Sequence, residues 1–230
     1  MQSRLKLATY NVHRCFGTDG NFSPQRIKMV IKQLDADIVA LQEVETFTDG
    51  GNNILEKFET ELGFTAIPGP TMYRADSSYG NAVLTRHPPV NVEQHDISVT
   101  GVEPRGVISL FYIINGLKVH IAVTHLGLKG GERRRQVNSV LHIMQQHPAD
   151  ISVLMGDINE WLPWSRTARW LSKQFGRTIT PATFPSRLPL FALDQIRAWP
   201  NERIDSTQKL VTPLTRKASD HLPLTATIWI

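Results

Sequence analysis

The 230-residue chain carries 25 lysine and arginine residues against 21 aspartate and glutamate residues, a net charge of +4 with a pI near 9.3. Hydrophobic residues make up 41% and charged residues 20%, as is typical of a globular protein with a sizeable core. The mild charge is compatible with an anionic substrate but excludes the dense basic surface of a dedicated nucleic-acid binder. Cys15 is the only cysteine, which excludes an intramolecular disulfide and a cysteine-built zinc site.

Targeting and membrane signals are missing from the sequence pattern. The N-terminal residues do not resemble a signal peptide, and no apolar stretch approaches the roughly 20 residues of a membrane span. We therefore expect a cytoplasmic, monomeric protein, with peripheral association with a membrane left open.

The N-terminal part of the chain alternates predicted strands and helices. Residues 5–12 are typical of a strand that ends near Asn11. Ser23 and Pro24 predict a helix start, with a capping hydroxyl before a first-turn proline. A core-facing helix is then predicted by the spacing of Ile27, Val30, Ile31 and Leu34. Residues 38–42 predict a second strand with Glu43 at its end, and residues 54–62 a second helix.

From residue 66 to residue 122, hydrophobic residues tend to recur at every second position, which is typical of strands. Strands are predicted at residues 81–85, 90–99, 107–114 and 117–124, with Asn115 and Gly116 as a hairpin turn. His125 follows the last of these strands. A helix over residues 137–144 precedes a short buried strand at residues 151–155, which Gly156 ends. Asp157 and Asn159 come directly afterwards.

The C-terminal part predicts a short helix at residues 166–175 and strands at 191–198, 204–211 and 222–230. No linker, repeat or low-complexity segment divides the chain. We expect residues 1–230 to form a single domain with β-sheet at its centre and helices packed outside.

Asp157 and Asn159 are the first candidates for chemistry, because alternation along an extended chain can turn both towards one ligand. A turn or helix cap explains the same pair. Polar residues at other strand ends strengthen the functional interpretation. The full set is Asn11, Glu43, His125, Asp157, Asn159, Asp194, Asp220 and His221. Carboxylate and amide oxygens suit a hard cation such as Mg²⁺, and a histidine held by an aspartate suits proton transfer.

Six short motifs resemble those of the endonuclease/exonuclease/phosphatase superfamily, in the same order and covering nearly the whole chain from Thr9. They are Thr9-Tyr10-Asn11, Leu41-Gln42-Glu43, Thr124-His125-Leu126, Gly156-Asp157-Ile158-Asn159, Leu193-Asp194-Gln195-Ile196 and Ser219-Asp220-His221. Each motif alone is weak, whereas six in order are specific. The resemblance is closest to small bacterial members of the superfamily. It implies a four-layer αββα sandwich, with two mixed β-sheets packed face to face and helices outside, and Mg²⁺- or Mn²⁺-dependent hydrolysis of a phosphoester.

The resemblance also implies a role for each matching residue. Glu43 would be the principal metal carboxylate, with Asn11 and Asp220 beside the ion. His221 would contact the scissile phosphate or take a proton, and Asp194 would orient its ring. Asp157 would orient or deprotonate the attacking water, Asn159 would hold water and phosphate in line, and His125 would stabilise the phosphoryl oxygens or protonate the leaving oxygen. Asp205 is a rival for Asp194, which we prefer because it matches the motif.

Three residues outside the six motifs are candidates for substrate binding. Arg105 is a candidate phosphate contact, with a surface salt bridge as the alternative. Trp161 and Trp164, which follow Asn159, could form an apolar rim for bases or lipid, or could cover the edge of the core. We expect a phosphodiesterase acting on nucleic acid or phospholipid head groups. A phosphomonoesterase on a soluble substrate and a catalytically silent phosphate-binding module are the alternatives.

Overall fold

The computed structural model describes residues 3–47 and 53–230, which form four layers of secondary structure. Two β-sheets pack face to face, and helices cover the outer face of each sheet. The predicted αββα sandwich with two mixed sheets is therefore confirmed. Within the described residues, no helix is long and apolar enough to cross a membrane.

Within the described residues, the first sheet has six strands, of which only the β1–β2 pair is parallel. In spatial order they are β10 (Ile204–Lys209), β11 (Leu224–Trp229), β1 (Arg4–Asn11), β2 (Ile38–Phe47), β4 (Ser77–Thr85) and β3 (Thr65–Tyr73). The second sheet, in the same part of the chain, has five strands, of which only the β7–β8 pair is parallel. Its order is β5 (Asn91–Asp96), β6 (Gly106–Ile114), β7 (Leu117–His125), β8 (Ile151–Asp157) and β9 (Asp194–Trp199).

The helices divide between the two outer layers according to their apolar faces. Helices α1 (Pro24–Leu34) and α2 (Ile54–Leu62) pack on the first sheet, while α3 (Gly130–Gln146) and α4 (Arg166–Phe175) pack on the second. A one-turn helix, α5 (Thr215–Ala218), lies against α1. The largest apolar cluster fills the space between the sheets and fixes how their strand ends meet.

Most predicted elements are present, with two local differences. Strand β3 had no clear signal because it contains Pro68 and Pro70; it lies at a sheet edge, where the missing N–H groups of proline are tolerated. Helix α1 does begin at Pro24, but the hydroxyl of Ser23 makes no capping hydrogen bond. Asn115 and Gly116 turn with positive φ angles of 53° and 81°, as expected for a tight hairpin.

Gly156 allows β8 to approach β7 immediately before the acidic end of the strand. Its φ angle is 144°, and a Cβ atom there would lie 1.8 Å from the backbone oxygen of Thr124. A side chain at this position would therefore be unfavourable for two reasons. The backbone conformation is one that residues other than glycine rarely adopt, and the Cβ atom would collide with a buried strand.

We expect Gly156→Ala to lower the free energy of unfolding by about 3 kcal/mol or more, because strain and collision act together. Gly116→Ala is the matched control: its φ angle is 81°, but no atom lies within 4 Å of the added Cβ. The control should cost about 1 kcal/mol. Urea unfolding of both variants measures the difference, and equal losses would contradict this account.

Candidate active site

The candidate site lies where the inward-facing rows of both sheets end. In β8 every second residue up to Met155 packs between the sheets, so alternation carries Asp157 to the same face. The same spacing places Asn11, His125 and Asp194 at the ends of the inward rows of β1, β7 and β9. All four polar side chains are at most 4% exposed. Strands of both sheets therefore end in a shared cluster of buried polar side chains at one edge of the sandwich.

Asn11 connects the two sheets within this group. Its Nδ2 donates hydrogen bonds to Oε1 of Glu43 at 2.9 Å and to Oδ2 of Asp157 at 3.1 Å. The backbone oxygen of Asn11 accepts a hydrogen bond from Oγ of Ser219 at 2.7 Å. This side chain therefore joins residues that are far apart in the sequence.

Glu43 reaches Asn11 because of a β-bulge. The prediction that β2 ends at Glu43 is wrong, because the strand continues to Phe47 and the pairing with β4 shifts between Leu41 and Val44. Glu43 occupies this irregularity with a positive φ angle of 58°. Leu41 and Val44 both pack towards the helices, so the extra residue changes the direction of the Glu43 side chain.

His221 and Asp194 form the hydrogen-bonded pair that the motifs imply. Nδ1 of His221 donates to Oδ2 of Asp194 at 2.8 Å, and Oγ1 of Thr183 donates to the same oxygen at 2.6 Å. Nε2 of His221 lies 3.8 Å from Oδ2 of Asp157. Asp205, the rival for Asp194, is exposed on β10. The structure therefore places Asp194, rather than Asp205, beside the histidine.

The surroundings of His221 favour its charged form. Burial alone would lower the pKa of His221, but the charge and hydrogen bond of Asp194, with the charges of Asp157 and Asp220, raise the pKa to about 10. The imidazolium is therefore the main form at neutral pH. Asp157 also has a raised pKa, mainly because of burial; the His221 charge opposes this change, and Asp194 adds to it.

Asp157 and Asn159 satisfy both interpretations of their spacing. Oδ1 of Asp157 accepts the backbone N–H of Asn159 at 2.9 Å, and Asn159 has a positive φ angle of 51°, so the pair closes a turn. The turn leaves Oδ2 of Asp157 facing Asn11 and the histidines. Nδ2 of Asn159 donates to the backbone oxygen of Leu126 at 2.9 Å, which fixes the amide beside His125.

His125 is held by Arg105, which is only 6% exposed. The Arg105 guanidinium lies 3.0 Å from Nδ1 of His125 and 2.9 Å from Oε1 of Glu103. Because a guanidinium only donates, Nδ1 must accept, and the neutral ring carries its proton on Nε2. Nε2 lies 3.5 Å from Oδ2 of Asp157, an acceptor, and 3.1 Å from Nδ2 of Asn159, which also donates and therefore makes no hydrogen bond to the protonated Nε2.

The two histidines consequently hold opposite protonation states. Burial lowers the pKa of His125 well below its usual range, and the nearby charges of Arg105 and His221 lower it further. A neutral His125 and a cationic His221 therefore flank Asp157. Groups whose pKa values are driven apart in this way are typical of sites that carry out acid–base or phosphoryl-transfer chemistry.

Asp220 lies at the rim of the group. Its side chain is 37% exposed, and Oδ1 accepts a hydrogen bond from Ser219 at 3.3 Å. Nδ1 of His13, a residue that the motifs do not include, lies 3.8 Å from the same oxygen. His13 belongs to a turn with positive φ angles that directly follows β1. Asp220 therefore remains accessible to a ligand.

The residues near Asn11 offer the donor chemistry that a hard divalent cation prefers. Among the described residues, no basic side chain pairs with Glu43, whereas Glu45 is paired with Arg14 at 2.6 Å and Arg74 at 2.7 Å. An uncompensated carboxylate next to an amide, with Asp220 at the rim, fits Mg²⁺, which binds one or two carboxylates and keeps several waters.

A second acidic group is better explained by hydrogen bonding. Ligand atoms of Asp157, Asp194 and His221 lie within 4.8 Å of one another, a spacing that could also hold a metal ion. However, the 2.8 Å separation between Asp194 and His221 is that of a charge-assisted hydrogen bond, which a metal at the same atoms would break.

An aromatic cluster borders His221. The ring of Phe184 lies 4.8 Å from the His221 ring, and Trp161 packs against Phe184 at 5.6 Å and Phe191 at 4.8 Å. Trp161 is thus partly buried next to the site, whereas Trp164 is 69% exposed. The two tryptophans, which the sequence grouped together, have different surroundings.

Several residues of the site carried no sequence signal. Thr183, Phe184 and His13 lie outside the six motifs, in loops whose direction depends on tertiary packing. Tyr79, which is also outside the motifs, has a hydroxyl influenced by the charges of Glu43, Glu103 and Arg105. Burial raises the pKa of Tyr79, and Glu43 raises it further, so the phenol stays protonated and can donate.

The site combines a buried Asp–His pair, a second histidine and oxygen donors for a cation, all at one edge of an αββα sandwich. This combination is typical of phosphohydrolases. The model of the Endonuclease/Exonuclease/phosphatase family matches residues 8–221, and the chain belongs to this family. Members of the family are generally hydrolases of phosphoester bonds and typically use divalent metals.

Known proteins match this chain over almost its full length. The uncharacterized protein YbhP of Escherichia coli strain K12 is 28% identical over 248 residues, covering 99% of this chain and 97% of that protein. An endonuclease/exonuclease/phosphatase from Beutenbergia cavernae has a TM-score of 0.76 at 22% identity, covering 99% of this chain and 72% of that chain. The human Nocturnin catalytic domain with a bound sulfate anion has a TM-score of 0.71 at 16% identity, covering 100% and 98%. Because both sequence identities are below 25%, the two solved structures show similarity of fold alone.

Proposed function

We propose that the protein is an Mg²⁺- or Mn²⁺-dependent phosphodiesterase whose residues 1–230 act as one catalytic domain. The observation that carries this proposal is the His221 ring, which is hydrogen-bonded to Asp194 at 2.8 Å and faces Asp157 across from Asn11 and Glu43. This arrangement combines a fixed positive charge for phosphate with a carboxylate for water. Phosphoryl transfer depends mainly on such positioning and charge neutralisation.

Each residue would then have a defined task. Oδ2 of Asp157 accepts a proton from the attacking water, while Asn159 keeps that water in line with the phosphorus. His221 balances the charge of the phosphoryl oxygens, and the Nε2–H of His125 donates to one of them, with Arg105 maintaining the tautomer. Glu43, Asn11 and Asp220 would hold the cation, which supplies charge neutralisation at the phosphate and the leaving oxygen.

A cleft beyond the aromatic cluster provides room for a substituent on the scissile phosphate. It has a volume of about 820 Å³ and is bordered by Trp161 and Phe191. Arg169, Lys173 and Arg177 also line it; all three are exposed, and none pairs with an acid among the described residues. An anionic or aromatic group attached to the scissile phosphate would be accommodated here.

We expect the double variant Lys173→Glu with Arg177→Glu to raise KM for the preferred diester by about tenfold and to leave kcat unchanged, because the charges bind the flanking group in both ground and transition states. The matched control is Lys32→Glu with Lys57→Glu, two exposed lysines on the helices of the opposite layer. Steady-state kinetics at two salt concentrations measure both variants. An equal rise in KM for the control would point to net charge rather than the cleft.

The proposed function is tested by Mg²⁺-dependent hydrolysis of three substrates: supercoiled plasmid, mixed phospholipid vesicles and a soluble phosphate diester. Hydrolysis of any of them that requires both Mg²⁺ and Asp157 supports the proposal, and the substrate cleaved fastest assigns the class. Hydrolysis of soluble monoesters alone would favour the phosphomonoesterase alternative. Phosphate binding without turnover of any phosphoester would instead indicate a silent binding module.

A further inference from the structure

A second group of potential metal ligands lies on the outer face of the second sheet. Glu93 and His95 are two residues apart on β5, so both point to the same face. Val92 points to the opposite face and packs against the core between the sheets. His147, which follows α3, approaches the same place from the helical layer. His125 and Asp157 lie on the inner face, so this group is separate from the candidate active site.

The distances within this group fit four-coordinate metal binding. Oε2 of Glu93 lies 3.3 Å from Nε2 of His147 and 3.7 Å from Nε2 of His95, and the ligand atoms of all three residues lie within 4.8 Å of one another. Bonds of about 2.0–2.2 Å place neighbouring ligands of a tetrahedral Zn²⁺ roughly 3.3–3.6 Å apart. The separations therefore exceed those of charge-assisted hydrogen bonds and approach the edges of a coordination tetrahedron.

The histidines are also prepared to act as ligands. Nε2 of His95 is buried and has no hydrogen-bond partner within the described part of the chain. Burial lowers the pKa of His95; Glu93 opposes this change, and His147 lowers the pKa further. The ring is therefore neutral at pH 7, with a free lone pair on one nitrogen. The His147 ring is positioned by Phe111, at 5.0 Å, and by His120, at 5.7 Å.

We propose that Glu93, His95 and His147 form a binding site for a divalent transition metal ion of the zinc class. Two imidazoles and one carboxylate suit Zn²⁺ or Co²⁺, whereas Mg²⁺ prefers oxygen ligands. Three protein ligands leave one coordination position for water or an incoming ligand. The side chains of His95 and His147 are 23% and 29% exposed, which leaves the ion a route from solvent.

The bound ion would have a structural consequence that can be measured. Strand β5 is an edge strand of the second sheet, and edge strands lack pairing on one side. A metal shared between β5 and the end of α3 would fasten this strand to the helical layer. Metal binding should therefore raise thermal stability independently of hydrolysis.

The test uses Co²⁺ and Zn²⁺ titrations of the full chain in excess Mg²⁺, with the variant Glu43→Gln as the host to weaken the candidate active-site metal. We expect one Co²⁺ per chain with the intense visible absorption of four-coordinate cobalt. Zn²⁺ at about a hundredfold above its Kd should raise Tm by roughly 5–10 °C. Adding His147→Gln should abolish both effects, while His142→Gln, an exposed histidine on α3, should preserve them.

Two outcomes would overturn the proposal. One is unchanged Co²⁺ absorption and an unchanged rise in Tm in the His147→Gln protein. The other is no Co²⁺ binding in the Glu43→Gln host, in which case Glu93 and the two histidines are neighbours that bind no metal ion. If His147→Gln fails to fold, as judged by circular dichroism without metal, Glu93→Gln replaces it, because Glu93 is partly exposed on the edge strand.

Discussion

Replacing His221 with glutamine is expected to lower kcat/KM for phosphodiester hydrolysis by about 10³-fold. Glutamine cannot carry the positive charge that Asp194 stabilises through the 2.8 Å hydrogen bond. The charge matters most when negative charge increases on the phosphoryl oxygens in the transition state, so the loss should fall mainly on kcat. Steady-state kinetics at saturating Mg²⁺ provide the measurement.

The control for this variant is His142→Gln, the same substitution at an exposed position of α3. It should retain wild-type kinetics. Thermal unfolding of both variants separates chemistry from folding, because His221 is 5% exposed and its replacement could also change stability. A folded His221→Gln protein with near-normal kcat would remove His221 from the mechanism.

Replacing Glu43 with glutamine is expected to lower kcat/KM by about 10²–10³-fold at limiting Mg²⁺ and to raise the Mg²⁺ concentration needed for half-maximal rate. The amide oxygen of glutamine can still accept the hydrogen bond from Asn11, so the bulge conformation should persist. The variant therefore removes one negative charge from the cation site with little other change. Rates measured over a range of Mg²⁺ concentrations test this expectation.

Glu45→Gln is the matched control, because it removes the same charge two residues further along β2. Glu45 already pairs with Arg14 and Arg74, so its loss should affect stability rather than Mg²⁺ dependence. If Glu45→Gln changed the Mg²⁺ dependence as much as Glu43→Gln, the cation would not be bound specifically at Glu43.

The sequence predicted much of the fold because local patterns and tertiary structure agree in this chain. The amphipathic helices α1 and α2 and the Asn115–Gly116 hairpin arise from hydrophobic period and turn chemistry, which act over a few residues. Strand β3 was less evident, because its two prolines are compatible with a strand only at a sheet edge. The sheet order that provides this edge depends on long-range packing.

The sequence predicts those residues of the candidate site that end a row of inward-facing residues, spaced two apart along a strand. Asn11, His125, Asp157 and Asp194 each continue an inward alternation that can be counted along the sequence. The position of Glu43 depends on a bulge, which has no reliable local signal. Thr183 and Phe184 approach His221 from a loop, and the buried contact of Arg105 with His125 depends on the fold of the residues around both side chains.

The Asn11 side chain, which bonds to residues of both sheets, has a consequence for how activity is acquired during folding. Its partner Asp157 is 146 positions away along the chain, and Ser219, which bonds to its backbone, is 208 positions away. Contacts of such long sequence separation require closure of large loops and form slowly compared with local structure. Helices and hairpins can therefore form while the site is still incomplete, because Asn11 and Glu43 lie on the first sheet and Asp157 lies on the second. Catalytic competence would accordingly be among the last properties gained on refolding, and it would directly report the docking of the two sheets.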